Sequence, residues 1–198
     1  MGKNVMEIVL LNTPPAYGES KWVENIKYML DQAGEEYDAI HVMDDVVHGS
    51  FYDKLVLFDR FRTGRYLYLD LDLVITGTIS HLCRTEFTLL KSWWRPPFYI
   101  DEDNSTRQYK TPLNSSIMSW TGDHSYVYKK FMEDPEYYML KYDSDDEFIW
   151  KEIPHETYGI VCDSYNWKWR NTESGNFPIT LYNQAKDEIW EHECTLSE

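Results

Sequence analysis

The chain opens on a short apolar run, Met6-Glu7-Ile8-Val9-Leu10-Leu11, stopped by Asn12-Thr13-Pro14-Pro15. A run of that length, bounded by proline, predicts a buried strand. Ser20 stands where an N-cap is wanted for a helix from Lys21. Trp22, Val23, Ile26, Met29 and Leu30 then recur at helical spacing, and Gly34 follows as the stop. Tyr37 to Met43 predicts a second strand, ending at Asp44-Asp45. Strand–helix–strand is the unit of a parallel sheet. Another helical period covers Tyr52 to Arg62, with Leu55, Phe58 and Phe61 facing in. It leads into Arg65-Tyr66-Leu67-Tyr68-Leu69-Asp70-Leu71-Asp72-Leu73-Val74-Ile75. There Tyr66 to Leu69 reads as a buried strand after the turn Thr63-Gly64, with Asp70 and Asp72 at its carboxyl end. Open α/β sheets bind their ligands outside that end.

Further on, Ile79 to Phe87 predicts a short helix and a turn, and Thr88-Leu89-Leu90 another strand. Trp93 to Lys110 is polar, carries Pro96-Pro97 and reads as a long loop. Asn114 to Trp120 predicts a strand that begins with small polar residues. Helices are expected over Tyr126 to Met132 and Glu147 to Glu152, the second capped by Asp143-Ser144-Asp145 and ended by Pro154. From Tyr158 the pattern turns irregular, with Tyr165, Trp167 and Trp169 alternating. No repeat, low-complexity tract or linker interrupts the 198 residues, which predicts a single α/β domain.

Composition narrows the partners. Thirty-four acidic against nineteen basic residues give a net charge of −15, which argues against nucleic acid or an anionic membrane. The excess suits a site that needs a cation, although a dispersed solvated surface gives the same sum. Sixteen Tyr and eight Trp can fill a core, and they can also stack on sugars and bases. Cys83, Cys162 and Cys194 show no metal or disulfide spacing, so they read as reduced thiols of a cytoplasmic protein. No apolar run reaches the ~18 residues of a membrane span. Glu7 interrupts the amino-terminal apolar stretch, so no signal peptide is expected.

The acidic pair carries the chemistry. Two carboxylates one residue apart repel each other, and a divalent cation relieves the repulsion. The plain alternative is an acidic turn with no ligand. Two families place Asp-x-Asp after a hydrophobic strand. Leu69-Asp70-Leu71-Asp72-Leu73-Val74 locally fits the haloacid-dehalogenase-type phosphatases, in which Asp70 would be a nucleophile. Those enzymes usually carry the pair on their first strand, whereas here a strand–helix–strand unit and a further helix precede it. The surroundings resemble the GT-A glycosyltransferases instead. Lys54-Leu55 lies on the helix before the acidic strand. Asn114-Ser115-Ser116-Ile117-Met118 is similar to the Asn-Ser-Gly-hydrophobic-Met segment that contacts the donor sugar. Asp145-Asp146-Glu147-Phe148-Ile149 is similar to the Asp-Gln-Asp segment facing sugar and acceptor. Order and spacing agree from Met6 to about Ile153, in the manner of the retaining group that includes glycogenin and bacterial galactosyltransferases. The small size resembles glycosyltransferase-like proteins of phage genomes.

The resemblance implies a Rossmann-like GT-A domain with a mostly parallel central sheet flanked by helices. Residues 1–78 would bind the nucleotide and residues 79–198 the donor sugar and acceptor. It implies transfer of a hexose from a nucleotide sugar, UDP-sugar first among them, to a carbohydrate or other hydroxyl acceptor. Mn²⁺ or Mg²⁺ would sit on Asp70 and Asp72. Thr13 and Asp44 or Asp45 would hold base and ribose, and Lys54 and Lys186 the diphosphate. Asn114 and Ser115 would meet sugar hydroxyls, and Asp146 would orient the sugar, take the acceptor proton or stabilise the anomeric carbon. The family's third metal ligand is a His near the carboxyl end. In Thr180-Leu181-Tyr182-Asn183-Gln184-Ala185-Lys186 its place is taken by Asn183, whose amide oxygen is a weaker ligand. His155 and His192 stand elsewhere. That departure leaves room for a catalytically weak nucleotide-sugar-binding protein of the same fold. Asp145 reads better as a helix cap than as a ligand.

Overall fold

In the computed structural model, residues 6–95, 98–100, 106–108, 111–165, 176–182 and 185–196 are described. β1 (Glu7–Leu11), α1 (Ser20–Gln32), β2 (Ala39–Met43), α2 (Asp53–Arg60) and β3 (Arg65–Leu69) come first. β4 (Leu73–Ile75), a single 3₁₀ turn at Ser80–Leu82 and β5 (Thr88–Lys91) follow. Then come β6 (Phe98–Ile100), β7 (Thr106–Gln108), β8 (Leu113–Thr121), α3 (Tyr126–Phe131), α4 (Pro135–Lys141) and α5 (Asp145–Glu152). β9 (Glu156–Thr157), β10 (Asp163–Tyr165), β11 (Ile179–Tyr182) and a 3₁₀ helix at Lys186–Glu191 complete the order.

The main sheet runs β2-β1-β3-β8-β5-β9. β1 is parallel to β2 and β3, β8 is antiparallel to β3 and β5, and β5 is parallel to β9. A second sheet, β10-β11-β4, stands beside it. Strand alternation sends side chains to two cores, as period-2 geometry requires. Ile8, Leu10, Leu67 and Leu69 pack with Trp22, Ile26, Met29 and Leu30 of α1. Val9, Leu11, Tyr66 and Tyr68 pack on the other side with Leu55, Phe58, Val127, Phe131 and Phe148. α1 ends as its sequence requires. Gly34 takes φ +67, its N–H donates to the Asp31 carbonyl at 3.1 Å, and Glu35 N–H reaches the Leu30 carbonyl at 3.0 Å.

Several elements differ from the sequence reading. Glu19, not Ser20, holds the cap position of α1 and makes no side-chain cap. The stretch read as a long loop, Trp93 to Lys110, contains the β6/β7 ladder. α4 went unread because its exposed face carries Tyr137, Met139 and Leu140, which blurs the apolar stripe. Pro135 at its first turn and Asp134 as its cap, accepting from Tyr137 N–H at 3.1 Å, are nonetheless start signals. The tail read as irregular supplies β10 and β11, which bury Ile179 and Leu181 against β4. Among the described residues no helix is long and apolar enough to cross a membrane.

Gly64, in the turn entering β3, is hemmed in by side chains. An added Cβ would fall 2.3 Å from Glu7 Oε1 and 2.7 Å from the Tyr66 ring. Neither neighbour is loose, since Glu7 pairs with His41 at 2.5 Å and the Tyr66 hydroxyl accepts from Gly64 N–H at 2.9 Å. Gly64→Ala is expected to lose about 1–3 kcal/mol in urea denaturation. An unchanged midpoint would mean that both side chains simply step aside.

Candidate active site

β3 ends against β8, and that junction gathers the site. The ladder pairs Leu69 with Ile117, and Asp70 N–H then donates to the Ser116 carbonyl at 2.8 Å. Opposite β5 the register jumps between Leu89 and Leu90, a bulge that re-aims the start of β8. Asn114, Ser115 and Ser116 are thereby buried beside Asp70. Asn114 Oδ1 accepts from Ser116 N–H at 3.0 Å and fixes that bend.

Asp70 is heavily bonded. Lys54 Nζ of α2 lies 2.8 Å from Oδ1 and 3.0 Å from Oδ2, and the Tyr68 hydroxyl donates to Oδ1 at 2.5 Å. Lys54 also donates to Ser115 Oγ at 3.1 Å. Burial alone would lower the Lys54 ammonium, but Asp70, Asp145 and Asp146 overcome it and hold the group above the ordinary lysine range. Tyr68 is held protonated by burial and by the Asp70 charge, so it acts as a permanent donor.

Asp72 is in a different position. Its carbonyl accepts from Tyr182 N–H of β11 at 3.0 Å, while its buried Oδ1 has no hydrogen-bond partner. Burial and the Asp70 charge push this carboxyl up. Lys54 and the Tyr17 hydroxyl, which approaches as a hydrogen-bond donor, act in the opposite sense. A buried carboxylate oxygen left unsatisfied is a costly arrangement unless something binds it.

α5 brings the other acids. Ser144, not Asp145, is its cap, accepting from Glu147 N–H at 3.4 Å. The Glu147 carboxylate turns back to Asp143 N–H at 2.9 Å, close to a capping box. Freed from capping, Asp145 is buried and faces inward to Lys54 and Ser115. Burial raises its carboxyl, and Lys54 and the Ser115 hydroxyl oppose that rise. Its Oδ2 has no partner. Asp146 Oδ1 accepts from the Ser144 hydroxyl, and Oδ2 pairs with Arg95 Nη2 at 3.5 Å.

The remaining candidates divide. Thr13 is buried at the end of β1, and its carbonyl accepts from Tyr17 N–H at 3.0 Å. Lys186 Nζ donates to the Ala16 carbonyl at 2.5 Å and lies over the Tyr17 ring at 5.6 Å, so it braces the loop that meets Asp72. Asp45 stands on the surface in a two-pronged pair with Arg60, one arm at 2.5 Å. Asn183, Trp167 and Trp169 lie outside the described residues. His155 and His192 are engaged locally, with the Ile153 carbonyl at 2.7 Å and Cys194 N–H at 3.1 Å. Among the described residues, no group of three or more His, Cys, Asp or Glu is arranged to hold a metal ion.

Sequence reading missed four participants, Tyr17, Tyr68, Arg95 and the inward-facing Asp145. Tyr68 had a signal, since residues two apart on a strand share a face.

No family model and no curated protein matches the chain. Solved structures do. A glycosyltransferase involved in glycosylating the major capsid of PBCV-1 superimposes with TM-score 0.64 at 9% identity, over 95% of this chain and 100% of its own. The galactosyltransferase LgtC, in complex with donor and acceptor sugar analogs, gives 0.62 at 14%, over 96% and 91%. Mouse xyloside xylosyltransferase 1 gives 0.51 at 11%, over 91% and 98%. The fold is therefore that of the GT-A glycosyltransferases.

The raised carboxyls set a pH dependence for the metal-free protein. A carboxyl whose folded value lies above its unfolded one stabilises the fold fully below the ordinary carboxylate range. That contribution is lost as pH rises through the folded value. In chelator, denaturant midpoints at about pH 8 and about pH 6 should show wild type gaining stability on acidification. Asp72→Asn should gain less, and an equal gain in both would refute the assignment.

Proposed function

We propose that the protein is a metal-dependent glycosyltransferase that moves a hexose from a nucleotide sugar, UDP-sugar first among them, to a carbohydrate or other hydroxyl acceptor. One observation carries this reading. Four carboxylates, Asp70, Asp72, Asp145 and Asp146, converge at the carboxyl ends of a GT-A sheet, and one buried oxygen of Asp72 has no partner. LgtC, which shares the fold, is described in complex with donor and acceptor sugar analogs.

The partnerless Asp72 oxygen fits a divalent cation, with Asp70 beside it and Asn183 as the proposed third ligand. Bound there, Mn²⁺ or Mg²⁺ would supply positive charge to the departing diphosphate. Lys54, already held cationic, adds a fixed charge to the same leaving group. Lys186, which donates to the Ala16 carbonyl in the Tyr17 loop, is the second cation proposed for the diphosphate. Thr13 at the end of β1 offers a hydroxyl to the nucleoside, and Asp45, once released from Arg60, a carboxylate to the ribose. Asn114 and Ser115 supply neutral donors and acceptors for sugar hydroxyls. Asp146 presents a carboxylate to the anomeric centre or the acceptor proton. A phosphatase reading is not retained, because the solved structures that share this fold are glycosyltransferases.

Thermal shift across nucleotide sugars with Mn²⁺ tests the reading. Donor at a hundred times its Kd should stabilise the fold by about 2.7 kcal/mol, and Asp72→Asn should abolish the effect. Donor hydrolysis should fall about 10²–10³-fold in Lys54→Met. Binding without turnover would leave a sugar-nucleotide-binding protein, and no nucleotide effect at all would overturn the proposal.

A further inference from the structure

Arg95 belongs to none of the segments that identify the site, yet its guanidinium ties two of them together. Nη1 donates to the Leu113 carbonyl at 2.9 Å, one residue before Asn114 on β8. Nη2 pairs with Asp146 Oδ2 at 3.5 Å on α5. The side chain is 17% exposed and that of Asp146 is 9% exposed, so solvent screens the pair only weakly. The turn carrying Arg95 is itself pinned. Ser92 N–H donates to the Pro112 carbonyl at 2.8 Å, and Arg95 N–H to the Ser92 carbonyl at 3.2 Å. Asp146 is thus gripped from both sides, by the Ser144 hydroxyl on Oδ1 and by Arg95 on Oδ2.

We propose that Arg95 is a positioning residue for the transfer reaction: it sets the orientation of the Asp146 carboxylate relative to the sugar-contacting start of β8. The inference rests on the glycosyltransferase reading of the same site. A planar fork can serve a carbonyl and a carboxylate at once, whereas a lysine ammonium on a flexible stem keeps the charge without the shape. The nucleotide side is built by β1, β3 and α2, which Arg95 does not touch through these bonds. Its loss should therefore separate chemistry from nucleotide binding.

The test uses the full chain with Mn²⁺ and the nucleotide sugar that wild type turns over. Arg95→Met should lower kcat for donor hydrolysis about 10²-fold, the scale of a small misplacement of a reacting group. UDP affinity by calorimetry should stay within about twofold of wild type. Arg95→Lys should fall between the two. Placed on Asp146→Asn, Arg95→Met should add little further loss, because the two residues act as a unit. The inference is overturned by a kcat within twofold of wild type in Arg95→Met, by equal losses in kcat and UDP affinity, or by full additivity with Asp146→Asn. A wild type that turns over no nucleotide sugar would bring down the underlying reading as well.

Discussion

The constraint on which the site depends is the burial of negative charge around Lys54. Asp70, Asp145 and Asp146 all act on one ammonium that is almost out of reach of water. A buried ion pair gains little over a well-packed apolar pair, and removing one partner is severe because it strands the other. The fold holds such a cluster because other groups share the load: Tyr68 donates to Asp70, Ser115 accepts from Lys54, and Ser144 and Arg95 engage Asp146. What is left over is specific. Asp72 Oδ1 and Asp145 Oδ2 end without partners on the two sides of the cluster. Acidic residues so placed cost stability unless something binds them, which is what the proposed cation would do.

Scaffold and site are joined at one junction. β3 is parallel to β1 on one side and antiparallel to β8 on the other, so the end of β3 meets the start of β8. The acidic pair and the Asn114 segment, about forty residues apart in sequence, become neighbours through that reversal. The bulge opposite Leu89 and Leu90 then turns Ser115 toward Lys54. On the far side, the aromatic cluster of Tyr52, Phe131, Tyr138 and Phe148 packs α2 against α3, α4 and α5. The Tyr52 hydroxyl donates to the Tyr142 carbonyl at 2.9 Å, just ahead of α5.

Much of this was legible in the chain because it is local. Strand, helix and strand follow from apolar period, and the carboxyl-end position of Asp70 and Asp72 follows from the strand. Asp146 was readable beside its neighbours. What escaped was set by contacts between distant segments. Asp145 looks like a cap in sequence, and only the geometry of Ser144 releases it inward. Arg95 sits in a polar stretch with no period, and its importance comes from Leu113 and Asp146. β10 and β11 are too short and too interrupted to show a period alone. They are strands because β4 offers an edge to β11, and β11 in turn offers one to β10.

That edge has a consequence for how the molecule is made. β11 pairs with β4, and Tyr182 N–H closes on the carbonyl of Asp72, yet more than a hundred residues separate them in the chain. The first strands can assemble as they leave the ribosome, but the wall behind Asp72 is delivered only when β11 has been synthesised. A nascent chain stalled before that point would carry the acidic pair with one side open. The site closes only once β11 has joined β4, after the strands that precede it in the chain.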